Sequence, residues 1–313
     1  MNDCIKVFEN FYKYTKSSKH YLIGASILRI VVGIHVAITY LVYFSKRYEV
    51  WGPDSFFPVN FIEEGFSLYA INNSILYFNI LYLIGIIINT LYLLGIKTRV
   101  TGILNFIMVY SLYVRNPTVL DGGNNVLTII LFFLMFAEVN RYFSIMKEKS
   151  TEMNQFSNMI HNFALYLCLF QVCVLYFFAG LAKSQGHMWY HGTALYYILQ
   201  IDEFTQPVLA QFIINSPVLL TLAAYSAILT QLFFPLLVFN KYLKIPILIG
   251  SISFHFGVIV LNGLVQFGLI MIALDLLFLT DKEYKKFYIV LKNFIERRFQ
   301  NNASSKKVEQ NAS

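Results

Sequence analysis

The sequence predicts an all-α fold: a polytopic integral-membrane helix bundle of about eight transmembrane helices, with both termini cytoplasmic. Composition is the first reason. Hydrophobic residues make up 57% of the 313 and charged residues only 13%, with a mean hydropathy of +0.58, whereas a soluble domain carries roughly 25% charge. The second is segmentation, because the apolar residues fall in runs of spanning length separated by short polar breaks. The third is charge placement, which puts 19 of the 24 Lys and Arg residues on one side of an eight-span arrangement.

Residues 1–20 form a basic tail with Lys6, Lys13, Lys16 and Lys19. The first apolar run, Tyr21 to Phe44, is longer than a signal-peptide core and has no small-residue cleavage pattern, so it reads as a retained helix. Further spans fall near 70–96, 99–114, 124–139, 160–182, 214–239, 245–261 and 265–280. Only Asn262, Gly263, Leu264 and Val265 separate the last two, which leaves open two spans or one kinked passage. An even count places Lys97, Arg99, Arg141, Lys147, Lys149, Lys241, Lys244 and both basic ends together inside, leaving Lys46, Arg47, Arg115 and Lys183 outside and Arg29 within a helix. The membrane domain is thus 21–280. The basic segment 281–313 follows as a cytoplasmic tail whose polar end is expected to be disordered. Between Lys183 and Ser216, the stretch Trp189–Ile201 has an aromatic-rich face suited to the membrane interface.

This pattern excludes some classes of function. The net charge of +7 lies in tails and loops as an orientation signal that also suits anionic lipid, and it does not form a nucleic-acid surface. Cys4 lies in the tail, while Cys168 and Cys173 stand five apart in one apolar helix and point in different directions, so no disulfide or thiolate metal site follows.

Ionisable residues inside spans are costly and face a partner or a cavity. Arg29 in the first span and Asp275 in the last stand at similar depth and are predicted to pair, either as a packing contact or as part of a path. His35 and His255 lie near mid-helix, where a lone imidazole makes an interhelical hydrogen bond or meets a ligand. Neither HExxH nor a carboxylate cluster turns them into a metal site. The loop from Arg115 to Asn125 contains Pro117 and the pair Gly122-Gly123, which force a turn at the membrane face, with Arg115, Asn116, Asp121, Asn124 and Asn125 supplying donors and acceptors. It serves either a ligand or a well-bonded connection. In the segment Tyr176 to Thr193, Lys183 sits where a span reaches the outer interface, followed by His187, Trp189 and His191. A lysine drawn out of water there acts as base or nucleophile, while one that snorkels is only an anchor.

Taken in order, Leu28-Arg29, Gly95-Ile96-Lys97-Thr98-Arg99, Arg115-Asn116-Pro117, Asp121-Gly122-Gly123-Asn124-Asn125, Ala179-Gly180-Leu181-Ala182-Lys183, Trp189 with Gly192-Thr193-Ala194, and Ser253-Phe254-His255 resemble the horizontally transferred transmembrane (HTTM) domain family. That family includes the membrane part of vitamin K-dependent gamma-glutamyl carboxylase and bacterial SdpB-type maturation factors, and the stretch Trp189–Tyr197 is closest to the latter branch. The resemblance implies an outward-facing site with Lys183 as general base and His187 and His191 assisting. It further implies Arg115, Asn116, Asp121, Asn124, Asn125, Trp189 and His255 as substrate or cofactor contacts, and a reduced quinone, menaquinol or vitamin K hydroquinone, as cofactor. In the carboxylase an Asn-Asn-His segment assists the base, whereas here Asn124-Asn125 is followed by Val126. The expected function is therefore a plasma-membrane protein that matures an exported antimicrobial peptide, with a secreted precursor and the lipid bilayer as partners. It acts either as a peptide-modifying enzyme or as a non-catalytic export partner or immunity protein. A transporter comes third, because its ionisable groups should line a through-path.

Overall fold

The structure, a computed structural model, describes residues 2–57, 65–147, 154–201 and 205–312, and among these the regular structure is entirely helical. The helices are α1 (Asn2–Ser17), α2 (Leu22–Val42), α3 (Arg47–Trp51), α4 (Ile75–Leu93), α5 (Thr98–Arg115), α6 (Gly122–Leu134), α7 (Gln155–Gln185), α8 (His187–Tyr190), α9 (Ala194–Ile198), α10 (Pro207–Ile214), α11 (Pro217–Leu237), α12 (Lys244–Asn262), α13 (Val265–Leu277) and α14 (Asp281–Ala312). A helix stands at each of the eight places where the sequence predicts a span. Five of them, α2, α4, α7, α11 and α12, are long and apolar enough to cross a bilayer by themselves, and the protein is a helical membrane protein. The 13-residue α6 and α13 are apolar but rise only about 20 Å, short of the roughly 30 Å hydrocarbon layer.

The open question about 245–280 has a definite answer. Gly263 adopts φ +65 as the C-cap of α12, and the chain turns back so that α13 packs along α12. Gly268 lies so close to Ile259 and the His255 carbonyl that a side chain would collide with both. Two helices therefore form a hairpin, and the single kinked passage is excluded.

Helix ends gather into two groups. At one end the start of α2 is capped by Asp281, whose carboxylate accepts from the Leu22 and Ile23 amides at 3.1 and 2.8 Å, satisfying two orphan donors of the first turn. Beside it, Thr280 and Glu283 form a capping box at the head of α14. The Thr280 amide and hydroxyl both donate to Glu283 Oε2 at 2.7 Å, and the Glu283 amide donates back to Thr280 Oγ1 at 3.3 Å. Lys244, at the start of α12, reaches the same Oε2 at 2.7 Å. The N-terminal segment is also fixed here: Asn162 on α7 donates to the Thr15 and Ser18 carbonyls at 2.8 Å each, so α1 is a helix docked on α7 and not a free tail. Lys19 and Glu138 pair nearby at 2.5 Å. The polar end expected to be disordered belongs to α14, which meets no Gly or Pro between Asp281 and Ala312.

The other end holds the α2–α4 connection, the α5–α6 loop and the short helices α8 to α10. Tyr225 on α11 donates to the Tyr190 carbonyl at 2.6 Å, and the Gln206 amide donates to the Leu261 carbonyl at 2.9 Å, which ties α8 to α11 and the start of α10 to the end of α12. Within the bundle α2 is central, packed by α4, α6 and α13, while α7 packs on α11. Val32, Val36, Leu165, Cys168, Ile270 and Leu274 fill the space between them.

Candidate functional site

Lys183 lies in the last turn of α7, a position set by the close approach of α7 and α11. That approach depends on Gly180, where a Cβ would stand 2.6 Å from the Leu232 amide nitrogen. After Gln185 the chain turns at Gly186 into α8, which brings the indole of Trp189 back beneath the lysine, with Nζ 5.2 Å from the ring centroid. Among the described residues Lys183 has no carboxylate or hydrogen-bond partner, and the side chain is half-buried. His187 and His191 are exposed and meet edge to face, their ring centroids 4.4 Å apart. The structure thus brings Lys183, His187, Trp189 and His191 to one end of α7.

On the same face of α7, two turns deeper, Tyr176 is fully buried at the centre of a polar cluster. Its Oη stands 2.8 Å from His255 Nε2, 2.8 Å from Asp275 Oδ1 and 2.7 Å from Ser251 Oγ, and Ser251 Oγ stands 2.7 Å from Asp275 Oδ2. His255 Nδ1 has no hydrogen-bond partner.

A second polar centre lies at the head of α6. Asp121 caps the helix by accepting from the Asn124 amide at 2.9 Å. The Asn124 carboxamide oxygen meets His35 Nε2 at 2.8 Å and accepts from Tyr113 Oη at 2.9 Å. Phe267 separates the two centres, since its ring lies 5.7 Å from that of His255 and its backbone lies against Gly123. Asn125 is exposed on the outside of the same turn, and buried Val126 follows it.

One expectation needs correction. Arg29 and Asp275 do not pair: the guanidinium donates to the Phe143 carbonyl at 2.6 Å and the Tyr92 carbonyl at 3.4 Å, while Asp275 is bound by Tyr176 and Ser251. Similar depth did not bring them together, because Arg29 turns toward the loops after α4 and α6 and Asp275 toward α7 and α12. Arg115 and Asn116 hold the α3 loop. Arg115 donates to the Phe57 and Gly52 carbonyls at 2.6 Å each and to Ser55 Oγ at 2.9 Å, and Asn116 donates to the Val50 carbonyl at 2.8 Å. Both are fully buried and anchor backbone that would otherwise lack donors, which is the well-bonded connection of the two readings offered for this loop.

Tyr176, Ser251 and Tyr113 were not singled out from the sequence. A signal for the first two exists, because Tyr176, Gly180 and Lys183 share a helix face by their spacing and Ser251 and His255 stand four apart in an apolar run. Among the described residues no three His, Cys, Asp or Glu side chains come together as a metal site, and Cys168 and Cys173 are buried free thiols.

Comparison with known proteins places this architecture. Two proteins of Bacillus subtilis (strain 168) are similar to the chain. The uncharacterized protein YitO is 28% identical over 221 residues, which is 66% of this chain and 69% of that protein. Sporulation-delaying protein SdpB is 26% identical over 220 residues, 67% of this chain and 65% of that protein. No solved structure matches it. The HTTM domain model matches residues 22–282, from the first turn of α2 to the first turn of α14, and this chain belongs to the HTTM domain family.

Proposed function

We propose that this protein matures an exported peptide at a site around Lys183 on the extracytoplasmic face of the plasma membrane, with Lys183 as the proton acceptor. The similarity to sporulation-delaying protein SdpB supports the peptide-related part of this reading. The observation that carries the chemistry is the setting of Lys183, half-buried over Trp189 and without a carboxylate partner among the described residues. Desolvation without counter-charge works against an ammonium ion and in favour of the neutral amine that a base requires. His187 and His191, exposed at the rim, are placed to contact a peptide, as are the exposed aromatic rings of Tyr190 and Tyr197.

A reduced quinone does not enter the proposal. Val126 is buried where the carboxylase has a histidine, and the imidazole that reaches Asn124 comes from His35 on α2. The residues therefore do not reproduce the quinone-assisting segment, and no step is derived through that cofactor.

The test is mass spectrometry of a candidate secreted precursor coexpressed with Lys183→Arg and Lys183→Ala. An anchoring lysine needs only a long stem and a positive charge, which arginine supplies, whereas arginine effectively never offers a neutral form. Both variants should reach normal membrane abundance and fail to mature the peptide. Full maturation by Lys183→Arg removes the base and leaves the non-catalytic partner, which the exposed apolar surface of α10 (Val208, Leu209 and Phe212) would serve by binding peptide.

A further inference from the structure

His187 and His191 stand four apart, and the His191 amide donates to the His187 carbonyl at 3.0 Å, so a single turn of α-helix carries both. Residues at that spacing share one helix face, with Cβ atoms about 5–6 Å apart. The two rings are exposed and meet edge to face, their centroids 4.4 Å apart. Neither ring makes a hydrogen bond among the described residues, so each keeps a nitrogen lone pair to offer in its neutral form. The other four histidines differ. His35, His161 and His255 are buried, each with Nε2 bonded, and His20 stacks on Tyr14 at the opposite end of the bundle, its Nε2 3.2 Å from the Tyr14 carbonyl.

The backbone under the pair is fixed. The Thr193 amide donates to the Met188 carbonyl at 2.9 Å and the Gly192 amide to the Trp189 carbonyl at 3.0 Å, the two crossed bonds of a Schellman motif. Gly192 supplies the left-handed residue that this motif needs, φ +71, and lies against α11, where a Cβ would stand 3.0 Å from the Thr221 methyl. The hydrogen bond from Tyr225 to the Tyr190 carbonyl clamps the same turn. A rigid turn thus presents two imidazoles that nothing else in the fold engages.

We propose that His187 and His191 form a two-imidazole chelate for a transition-metal dication, Zn2+ or Cu2+, on the face of the protein that carries Lys183. Two imidazole nitrogens bound to a tetrahedral ion at about 2.0–2.1 Å stand roughly 3.3 Å apart. Rings whose centroids are 4.4 Å apart reach that geometry by side-chain rotation, with no change in the backbone. Imidazole suits zinc and copper, and copper leads the affinity order of the divalent ions, whereas calcium and magnesium take oxygen ligands. No third His, Cys, Asp or Glu joins the pair among the described residues. The ion therefore keeps positions open to water or to a donor group of a bound molecule, unlike a structural site closed by four protein ligands. The chelate does not rest on the reading of Lys183 as a base.

The probe is Cu2+, titrated into the full-length protein in lipid nanodiscs, without a histidine tag and in a background lacking Cys4, Cys168 and Cys173. Electron spin-echo modulation counts the imidazoles on the bound ion. Wild type should bind a single ion at micromolar Cu2+ through two imidazoles. His187→Ala and His191→Ala should each leave one imidazole and weaken binding by about tenfold or more, because the second ligand no longer acts at high effective concentration. His20→Ala should change neither reading. Both rings are exposed, so the variants should keep the wild-type fold. Thermal unfolding gives a second measurement: Zn2+ should raise the Tm of wild type and leave that of the double variant unmoved. One imidazole in wild type, unchanged affinity in either single variant, loss of binding in His20→Ala, or binding only at millimolar Cu2+ overturns the chelate. None of these readings uses peptide maturation, so normal maturation by Lys183→Arg would end the base reading and leave the chelate standing.

Discussion

The separation of Arg29 from Asp275 is open to a double-mutant cycle. Arg29 lies at the eighth position of α2, about 10 Å from the helix start, and its side chain reaches back to the Phe143 and Tyr92 carbonyls. Arg29→Ala leaves the Phe143 oxygen without its 2.6 Å charge-assisted donor, loses the weaker 3.4 Å contact and opens a void beside Gly95, whose φ of +75 lets the chain pass against the guanidinium. A buried group left unsatisfied costs about 1–3 kcal/mol, so with the lost packing the variant should be less stable by about 2–5 kcal/mol. Asp275→Asn disturbs a different set of partners, and the two changes should add to within about 0.5 kcal/mol. Tyr176→Phe with Asp275→Ala, which removes both ends of a shared 2.8 Å hydrogen bond, should instead couple by about 0.5–3 kcal/mol. Reversible unfolding in mixed micelles, followed by circular dichroism, measures both cycles. The charge-swapped Arg29→Asp, Asp275→Arg protein should be worse than either single variant, because each new charge lands among partners chosen for the old one. Recovery of stability in the swap, or a coupling above about 1 kcal/mol between the two sites, would refute the separate networks.

Two further outcomes follow from the helix ends. Burial by itself raises the Glu283 carboxyl, but the hydrogen bonds from Lys244 and Thr280 outweigh it and hold the group below its ordinary value of 4.5. A carboxyl lowered in the folded state contributes stability that is fully present above that ordinary value and is lost as the pH falls through the folded one. Wild type should therefore lose its advantage over Glu283→Gln on acidification below about pH 4.5, in thermal unfolding measured across pH, by no more than about 1 kcal/mol because the pair is partly solvated. An advantage that grows on acidification contradicts the sign. For topology, single cysteines at Asn125 and Ser304, in a background without Cys4, Cys168 and Cys173, should react with an impermeant thiol reagent from opposite sides of the membrane, Asn125 from outside. Labelling of both from outside defeats the even count of crossings.

Position along each helix was legible in the sequence because hydrophobic runs and polar breaks are one-dimensional signals. All eight long segments form helices, and the Lys183, His187, Trp189 and His191 cluster is local enough for the chain itself to assemble it. Partner choice was not legible. A residue number gives depth, but which neighbour a side chain meets depends on the rotation of each helix about its axis, and in apolar helices that rotation is poorly marked. Asp275 illustrates this, since α13 is apolar on every face and nothing along 265–277 indicates whether the acid turns toward α2 or toward α7 and α12. Arg115 shows a different gap. Its partners are the Gly52 and Phe57 carbonyls, and backbone acceptors have no sequence signature.

The rotation of α13 also decides what a carboxyl in this bundle can do. Facing Arg29, it would have been a fixed charge in a packing pair. Facing Tyr176, Ser251 and His255, it meets only groups that can both give and take protons, and it meets them directly below the lysine on α7. The helix packing that removed the ion pair expected from the sequence therefore leaves Asp275 bonded to two hydroxyl groups, without a salt bridge among the described residues. Of the buried ionisable residues in the bundle, Arg29 and Arg115 are tied to carbonyl oxygens that hold loops in place, whereas Asp275 is tied to nothing that requires its charge.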